Sequence, residues 1–117
     1  FTYISTVYAS GLRSGDIPEE FLTNEPGFSN HYERSKWECE EYIRTKCESL
    51  PWEIIRVATV ICHDETGTVI QHNAVHNTLK LLYYGLISLM PGLAKTPVYL
   101  VTGDEVARGI ANLHLQA

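Results

Sequence analysis

The sequence has no run of lysine and arginine, no long uninterrupted apolar stretch and no internal repeat or low-complexity tract. Its formal net charge is −5 at pH 7, from 9 Lys and Arg against 14 Asp and Glu. An acidic chain without a basic cluster lacks the electrostatic footprint of proteins that bind nucleic acid or an anionic membrane surface. We therefore expect no nucleic-acid partner.

The longest strongly apolar stretch runs from Leu79 to Leu93. It is shorter than the roughly 20 residues that a membrane-spanning helix requires. It is also interrupted by Lys80, Gly85, Ser88 and Pro91. We expect no membrane span, and because the first residues do not form a signal peptide, we expect a cytoplasmic protein.

Cysteine is scarce, with three residues in the chain. Cys39 and Cys47 lie on one predicted helix, about 12 Å apart along its axis, which is too far for a disulfide. Cys62 ends an apolar strand, where a buried thiol is common. All three are predicted to be reduced, structural cysteines.

The length of 117 residues, with 44% hydrophobic content, fits one domain or a piece of one. Residues Ser10 to Asn30, with Pro18 and Pro26, predict a long irregular segment that is functional or partly disordered. Hydrophobic periodicity predicts these elements: strand Phe1–Val7, helix Asn30–Leu50, strand Trp52–Ile61, turn Asp64–Gly67, helix Gln71–Met90, strand Thr96–Val101, and a last helix capped by residues Thr102–Glu105.

The first three elements predict a strand–helix–strand unit with parallel strands. Asn30 and Glu33 have the spacing of a capping box at the start of the helix. The near-continuous apolar run of Trp52–Ile61 predicts a strand buried on both faces, as in a parallel sheet. Four side chains of the last helix are predicted to face the protein interior: Val106, Ala107, Ile110 and Leu113. The fold class is therefore α/β.

Tyr32 and Lys36 are spaced i, i+4 on the predicted helix, so their side chains share one face. A nearby ammonium favours the ionised phenolate, which would make Tyr32 a competent general acid or base. Such pairs are common on ordinary helices, so the spacing alone is weak evidence for a catalytic site. Ser5 and Thr6 add to it, because they lie at the carboxyl end of a strand, where α/β sheets build their sites.

Two groups of side chains could in principle bind a metal ion, but both are weak candidates. His72 and His76 have i, i+4 spacing but lack the glutamate and third ligand of a zinc protease motif. His63, Asp64 and Glu65 are typical of a solvated turn. We therefore expect no metal site.

Three segments, ISTVYASG, NHYERSK and IIRVATVICHDETG, resemble the strand, catalytic helix and following strand of extended short-chain dehydrogenases/reductases. The Thr66-Gly67 turn makes them most similar to the thioester-reductase and fatty-acyl-CoA-reductase, or male sterility, branch. The resemblance implies the C-terminal portion of a Rossmann-like, doubly wound parallel sheet with a small substrate-side region. Since no Gly-x-x-Gly-x-x-Gly loop is present, residues 1–117 are expected to be the catalytic half of the domain, without its N-terminal phosphate-binding half.

The resemblance implies a site, residue by residue. The catalytic hydroxyl falls on Thr6, with Ser5 as the alternative, and the catalytic tyrosine and lysine fall on Tyr32 and Lys36. Tyr32 and Lys36 are also expected to bind the cofactor, NADP or NAD, together with the backbone of Val60 beside the nicotinamide carboxamide.

The sequence departs from the family pattern at two places after the helix. Arg56 matches the arginine that begins the motif there, but Val57 replaces the proline that often follows it. Cys62-His63 replaces a pair that commonly begins with glycine, where the absence of a side chain lets the backbone approach a ligand.

The expected activity is NAD(P)H-dependent reduction of an acyl thioester or related carbonyl substrate, a small molecule. Two alternatives stay open: a sugar-nucleotide epimerase or dehydratase with the same three residues, or a truncated, non-catalytic interaction module. A chain without its first strands would expose a sheet edge. We therefore also expect a homo-oligomer or association with a complementary N-terminal segment.

Overall fold

A computed structural model describes residues 1–89, 92 and 95–116. The chain divides into two compact units, one formed by Phe1–Ala58 with the residues from Leu113 onward, and the other by Thr59–Asn112. The elements in chain order are β1 Thr2–Thr6, a 3-10 helix Val7–Ser10, α1 His31–Lys46, β2 Glu53–Val57, β3 Thr59–Val60, α2 Ala74–Tyr83, β4 Leu100–Val101 and α3 Gly103–Gln116. The predicted mixture of helices and parallel strands is confirmed. Over the described residues the sheets are two-stranded.

The first unit is built on the predicted strand–helix–strand arrangement. β1 and β2 pair in parallel, from Thr2 opposite Glu53 to Thr6 opposite Val57. Successive side chains of a strand point to opposite faces. Tyr3 and Ser5 contact α1, so this face of β1 carries the helix.

The start of α1 agrees with the sequence, and its end does not. Asn30 Oδ1 accepts a hydrogen bond from the Glu33 amide at 3.0 Å, as in a capping box. The Glu33 carboxylate accepts from the Ser29 amide at 2.8 Å, one residue earlier than the capping box predicts. The helix ends at Lys46, before the predicted Leu50, because residues 47–50 form a turn and Pro51 disfavours helical backbone at the residue before it.

The irregular segment 11–29 is confirmed as irregular, and it is tied down at two places. The Leu12 amide donates to the Gly27 carbonyl at 3.0 Å. Gly11 has a φ of 62°, and a Cβ there would lie 2.1 Å from the Gly27 oxygen, so the approach requires glycine. Leu22 is buried, and its carbonyl accepts from Trp37 Nε1 on α1 at 2.6 Å.

Replacing Trp37 with Phe is expected to lower the free energy of unfolding by about 0.5–1.5 kcal/mol, because one hydrogen bond between α1 and the loop is lost. Cleavage within residues 11–29 by a protease at low concentration should become faster, since Leu22 loses its anchor. Urea unfolding and timed proteolysis measure the two effects. Unchanged cleavage would mean that other contacts hold the loop.

The predicted strand Trp52–Ile61 is wrong as a single element. It is interrupted at Ala58, and its two parts pair with different strands, β2 with β1 and β3 with β4. All five residues of β2 are half-buried, so the predicted burial on both faces is also wrong. Within the described residues, β2 has a single neighbouring strand, which leaves part of each side chain in contact with water.

In the second unit, β3 and β4 are parallel, with Thr59 opposite Leu100 and Val60 opposite Val101. The predicted strand 96–101 is too long, because β4 holds only its last two residues. The predicted helix 71–90 is also too long. α2 starts after its N-cap Asn73 and ends at Tyr83, since Gly85 takes a φ of 67° that ends the helix; Met90 lies outside the described residues.

α3 starts after Thr102, as predicted, but its inward face is only partly confirmed. Val106 and Ile110 are half-buried, whereas Ala107 and Leu113 are exposed. In the part of the chain that the structure describes, no helix is long and apolar enough to cross a membrane.

The three cysteines carry free thiols, as predicted. Their burial is less than the sequence suggests, because Cys39 is exposed and Cys47 and Cys62 are half-buried. The prediction of a buried Cys62 is wrong, since the residue lies just after a two-residue strand rather than inside a covered sheet.

Candidate active site

The ammonium of Lys36 lies against the strand β1. Lys36 Nζ donates a hydrogen bond to the Ile4 carbonyl at 3.0 Å. It also lies over the ring of Tyr3, 5.0 Å from the ring centroid, within the range of a cation–π interaction. The predicted lysine is thus placed two residues from the carboxyl end of β1 by a backbone carbonyl and an aromatic ring.

Tyr32 lies one helical turn before Lys36, and 55% of its surface is exposed. Its position on the first turn of α1 follows from the Asn30 cap. Among the described residues, no hydrogen bond joins the Tyr32 hydroxyl to Lys36 or to Thr6. The phenol is therefore accessible to a ligand, and its contact with the other two predicted residues stays a prediction.

Thr6 is the last residue of β1, and 5% of its surface is exposed. Its Oγ1 accepts a hydrogen bond from the Tyr8 amide at 3.3 Å, which caps the 3-10 helix. Because side chains alternate along a strand, Thr6 and Ser5 lie on opposite faces of β1. A hydroxyl that accepts one bond still has a proton to donate, but Thr6 is buried and lies on the face of β1 away from α1, so its contact with a substrate oxygen stays a prediction.

Ser5 belongs to a buried polar cluster that the sequence did not reveal. Its hydroxyl donates to Glu40 Oε1 on α1 at 2.5 Å, and Glu40 is 2% exposed. Arg56 on β2 donates to both carboxylate oxygens, with an Nη2–Oε2 distance of 2.7 Å. The two-point geometry is the strong form of an arginine–carboxylate pair. We call Ser5, Glu40 and Arg56 the buried clamp.

The buried clamp includes Ser5, the alternative catalytic hydroxyl, and Arg56, the arginine that begins the motif after the helix. Arg56 also donates to the Glu20 carbonyl at 3.1 Å, so its guanidinium joins β2, α1 and the loop. Glu40 could have been found from its spacing, because it lies at i+4 from Lys36 and i+8 from Tyr32, roughly on one helix face.

Tyr3 is a second residue that sequence reasoning missed. Burial and a hydrogen bond with Cys39 raise its pKa to about 12, and the charges of Cys39, Glu40 and Tyr32 add to the increase. The phenol therefore stays protonated at neutral pH. The available signal was the period of two along β1, which places Tyr3 on the same face as Ser5.

The family model of the male sterility protein matches residues 1–110 of the chain. The chain belongs to this family. It is an NAD-binding family of extended short-chain reductases, so the predicted resemblance and the predicted NAD(P) cofactor are confirmed. A search of curated proteins and of solved structures finds no match to the chain. The family is one of NAD(P)-dependent oxidoreductases of the extended short-chain type.

The side chains of this member of the male sterility family fit a nicotinamide ribose. A lysine ammonium has three N–H donors, and Ile4 takes one of them. The remaining donors suit the paired hydroxyls of a ribose, and the exposed Tyr32 phenol lies one turn away. The chemistry of these donors agrees with cofactor binding at this helix face.

Val60 lies in the second unit, on β3. The amides of Thr59 and Ile61 donate to the Tyr99 and Val101 carbonyls of β4. The peptide groups of Val60 therefore point away from β4, and its carbonyl accepts from Asn73 Nδ2 at 2.8 Å. The Val60 carbonyl is thus already hydrogen-bonded within the second unit. The contact expected between the Val60 backbone and the nicotinamide carboxamide stays a prediction.

The histidines do not form the zinc site that their spacing could suggest. His72 lies before Asn73, the N-cap of α2, and its ring packs edge-on against the His76 ring, with 5.4 Å between the ring centroids. His76 uses both ring nitrogens, Nδ1 with Asn73 at 2.8 Å and Nε2 with the Ile61 carbonyl at 2.7 Å. Within residues 1–89, 92 and 95–116, no group of histidine, cysteine and acidic side chains is arranged to hold a metal ion.

The predicted turn at Asp64 is a charged surface cluster. The Asp64 carboxylate pairs with Arg108 at 2.7 Å, and a hydrogen bond from Thr102, followed by that from Arg108, lowers its pKa. His63 Nε2 lies 3.3 Å from Asp104. These contacts attach the turn to α3, which is a structural role.

Proposed function

We propose that the chain is the catalytic half of an NAD(P)H-dependent reductase whose substrate is an acyl thioester or a related carbonyl compound. The observation that carries the proposal is the placement of Lys36, whose ammonium lies against β1 one turn from an exposed tyrosine. The same helix face thus presents a fixed cation and an accessible proton donor. The complete domain would have a doubly wound parallel sheet, with its phosphate-binding loop in an N-terminal half outside residues 1–117.

In this mechanism Tyr32 is the general acid. Its hydroxyl donates a proton to the substrate carbonyl oxygen as negative charge develops there. The cofactor supplies the hydride when it is bound. Lys36 favours the phenolate that remains on Tyr32, and its free N–H groups hold the ribose.

Thr6 is the proposed second hydrogen-bond donor to the substrate oxygen. Ser5, the alternative, donates its proton to the buried Glu40 carboxylate at 2.5 Å. Releasing it would leave a buried carboxylate short of one bond, which costs energy. Thr6 Oγ1 accepts a bond from the Tyr8 amide, and among the described residues its proton has no carboxylate acceptor. Thr6 is therefore the better candidate, although it is buried.

In the second unit, several large apolar side chains around the end of α2 are exposed: Leu79, Tyr83, Tyr84, Leu86 and Leu89. Exposed apolar side chains that form a patch often mark a binding region. Their presence favours a substrate or partner with an apolar part, such as an acyl chain.

The proposal predicts that Lys36→Met weakens NADPH binding roughly tenfold or more, the value of a charged hydrogen bond to a ligand. Turnover should fall as well, because the cation that balances the negative charge left on Tyr32 is lost. Calorimetric titration with NADPH, in a chain that includes the phosphate-binding half, measures the first effect. Initial rates measure the second.

Lys46→Met is the matched control, since Lys46 is an exposed lysine in the last turn of the same helix. It should change neither the affinity for NADPH nor the turnover. If Lys36→Met behaves like Lys46→Met in both measurements, Lys36 is a surface charge and the proposed function loses its main support.

A further inference from the structure

Two groups of β1 contact the Lys36 ammonium, and neither has a role in the proposed mechanism. The Ile4 carbonyl accepts from Nζ at 3.0 Å, and the face of the Tyr3 ring lies beneath the same atom. The carbonyl is a backbone group and depends only on the strand being in place. The ring, in contrast, depends on residue 3 being aromatic, since any strand-forming residue could occupy this inward position of β1.

We propose that Tyr3 is a positioning residue for Lys36: its aromatic face holds the ammonium at the carboxyl-terminal half of β1, in the place where it meets the cofactor ribose. Tyr3 acts through Lys36 and does not itself touch the reacting atoms. The inference rests on the proposed function and deepens it.

A lysine side chain has four rotatable bonds, so an unrestrained ammonium samples many positions and loses entropy when it binds a ligand. Two contacts from different directions, one along a carbonyl and one above a ring, restrict that sampling before any ligand arrives. Preorganisation of this kind raises affinity by lowering the cost of ordering.

Tyr3 is itself fixed and stays neutral. Its hydroxyl is hydrogen-bonded with Cys39, one turn along α1 from Lys36, and burial with this bond raises its pKa to about 12. A neutral ring keeps the same electrostatic face toward a cation across the range of pH in which enzymes work. The ring is therefore a constant support, whereas an acidic residue in its place would add a full charge beside Glu40.

The ring and the hydroxyl of Tyr3 make different predictions. If the ring positions Lys36, Tyr3→Phe keeps the function and Tyr3→Leu loses it. If only the hydroxyl matters, through Cys39, the two variants should be equally impaired. Tyr3→Ile is a second ring-free variant, chosen because a β-branched residue favours the strand.

The first test is independent of activity and of the cofactor. In full chain labelled with carbon-13 lysine, the ε-protons of Lys36 should show an upfield ring-current shift, because the ammonium lies over the ring face. Lys36→Met identifies the signal by removing it. The shift should persist in Tyr3→Phe and vanish in Tyr3→Leu and Tyr3→Ile. An unshifted Lys36 signal in the unmutated protein would overturn the proposal without any variant.

The second test is NADPH binding, measured in a chain that includes the phosphate-binding half. Tyr3→Leu and Tyr3→Ile should weaken it by roughly three- to tenfold, as expected for a cation–π contact, and Tyr3→Phe by less than about twofold. If Lys36→Met weakens binding but the ring-free variants do not, Tyr3 has no positioning role and the proposed function stands. If Lys36→Met has no effect either, the proposed function fails, and the ring-current shift still reports whether Tyr3 holds the lysine. Thermal unfolding of each variant separates loss of contact from loss of fold.

Discussion

Tyr32→Phe should lower the turnover of NADPH-dependent reduction by about 10²–10⁴, the usual contribution of a positioned general acid. The substitution removes one oxygen from a side chain that is 55% exposed, so the fold has little reason to change. Substrate binding should be affected much less than turnover, because the proton is needed in the transition state. The loss of NADPH absorbance with an acyl-CoA substrate, in a chain that includes the phosphate-binding half, measures the rate.

The helix offers a matched control for this variant. Tyr42 lies ten residues later on α1 and is 63% exposed, so Tyr42→Phe makes the same chemical change in a similar environment. It should leave turnover within about twofold. Near-normal turnover in Tyr32→Phe would remove this tyrosine from the mechanism, and an equal loss in both variants would indicate damage to the helix instead.

Glu40→Ala is expected to lower the free energy of unfolding by about 3–5 kcal/mol, the cost of breaking a buried ion pair from one side. The variant leaves the Arg56 guanidinium without its carboxylate and the Ser5 hydroxyl without its acceptor. Ser5 is buried and the Arg56 side chain is only 19% exposed, so water can replace the lost bonds only in part. Urea-unfolding midpoints and slopes, compared with the unmutated chain, give the change.

The neighbouring residue provides the comparison. Glu41 pairs with Arg44 on the surface, where such pairs contribute about 0–1 kcal/mol. Glu41→Ala changes helix propensity by the same amount, and it should lower the free energy of unfolding far less than Glu40→Ala. Should Glu40→Ala prevent folding, Glu40→Gln gives the measurement, since it keeps an acceptor for Ser5 and removes the charge. Equal costs for the Glu40 and Glu41 variants would contradict the buried clamp as the attachment of α1.

The attachment of α1, the helix that carries Tyr32 and Lys36, is mainly polar. Among the described residues, the buried apolar side chains are Ala9, Leu22 and Ile43, whereas the buried polar ones are Ser5, Thr6, Glu33 and Glu40. Apolar contacts tolerate small shifts, but hydrogen bonds require defined distances and angles. A helix attached by a carboxylate and a guanidinium therefore keeps a fixed register against β1, and Lys36, one turn before Glu40, keeps its place.

The sequence by itself determined the first unit closely. β-branched and aromatic residues located β1, the Asn30 and Glu33 spacing located the start of α1, and parallel pairing of β1 with β2 followed from the helical connection between them. These features rest on interactions within a few residues of one another, or on the length of a connection. The segments around Thr6, Tyr32 and Lys36 were also sufficient to identify the family.

The ends of the elements were decided by tertiary structure. The strand 52–61 is divided at Ala58 because its two parts find different partners, and apolar sequence alone carries no information about partners. The helix predicted over 71–90 ends at Tyr83, where Gly85 takes a left-handed backbone, although a glycine within an apolar run does not by itself stop a helix.

Tertiary structure also decided which polar residues are buried and what they contact. Glu40, Arg56 and Ser5 lie on three different elements, with Glu40 and Arg56 separated by 16 positions in the sequence and Ser5 and Glu40 by 35. The spacing of Glu40 from Lys36 places it on a particular helix face, but it does not show that Glu40 is buried and Glu38 exposed. The support of Lys36 by Tyr3 depends likewise on how α1 packs against β1. Sequence thus determined the chemistry that the chain carries, because the reactive groups are residue types at fixed spacing. Packing decided which of those groups are free to react, because burial and hydrogen-bond partners arise only when distant segments meet.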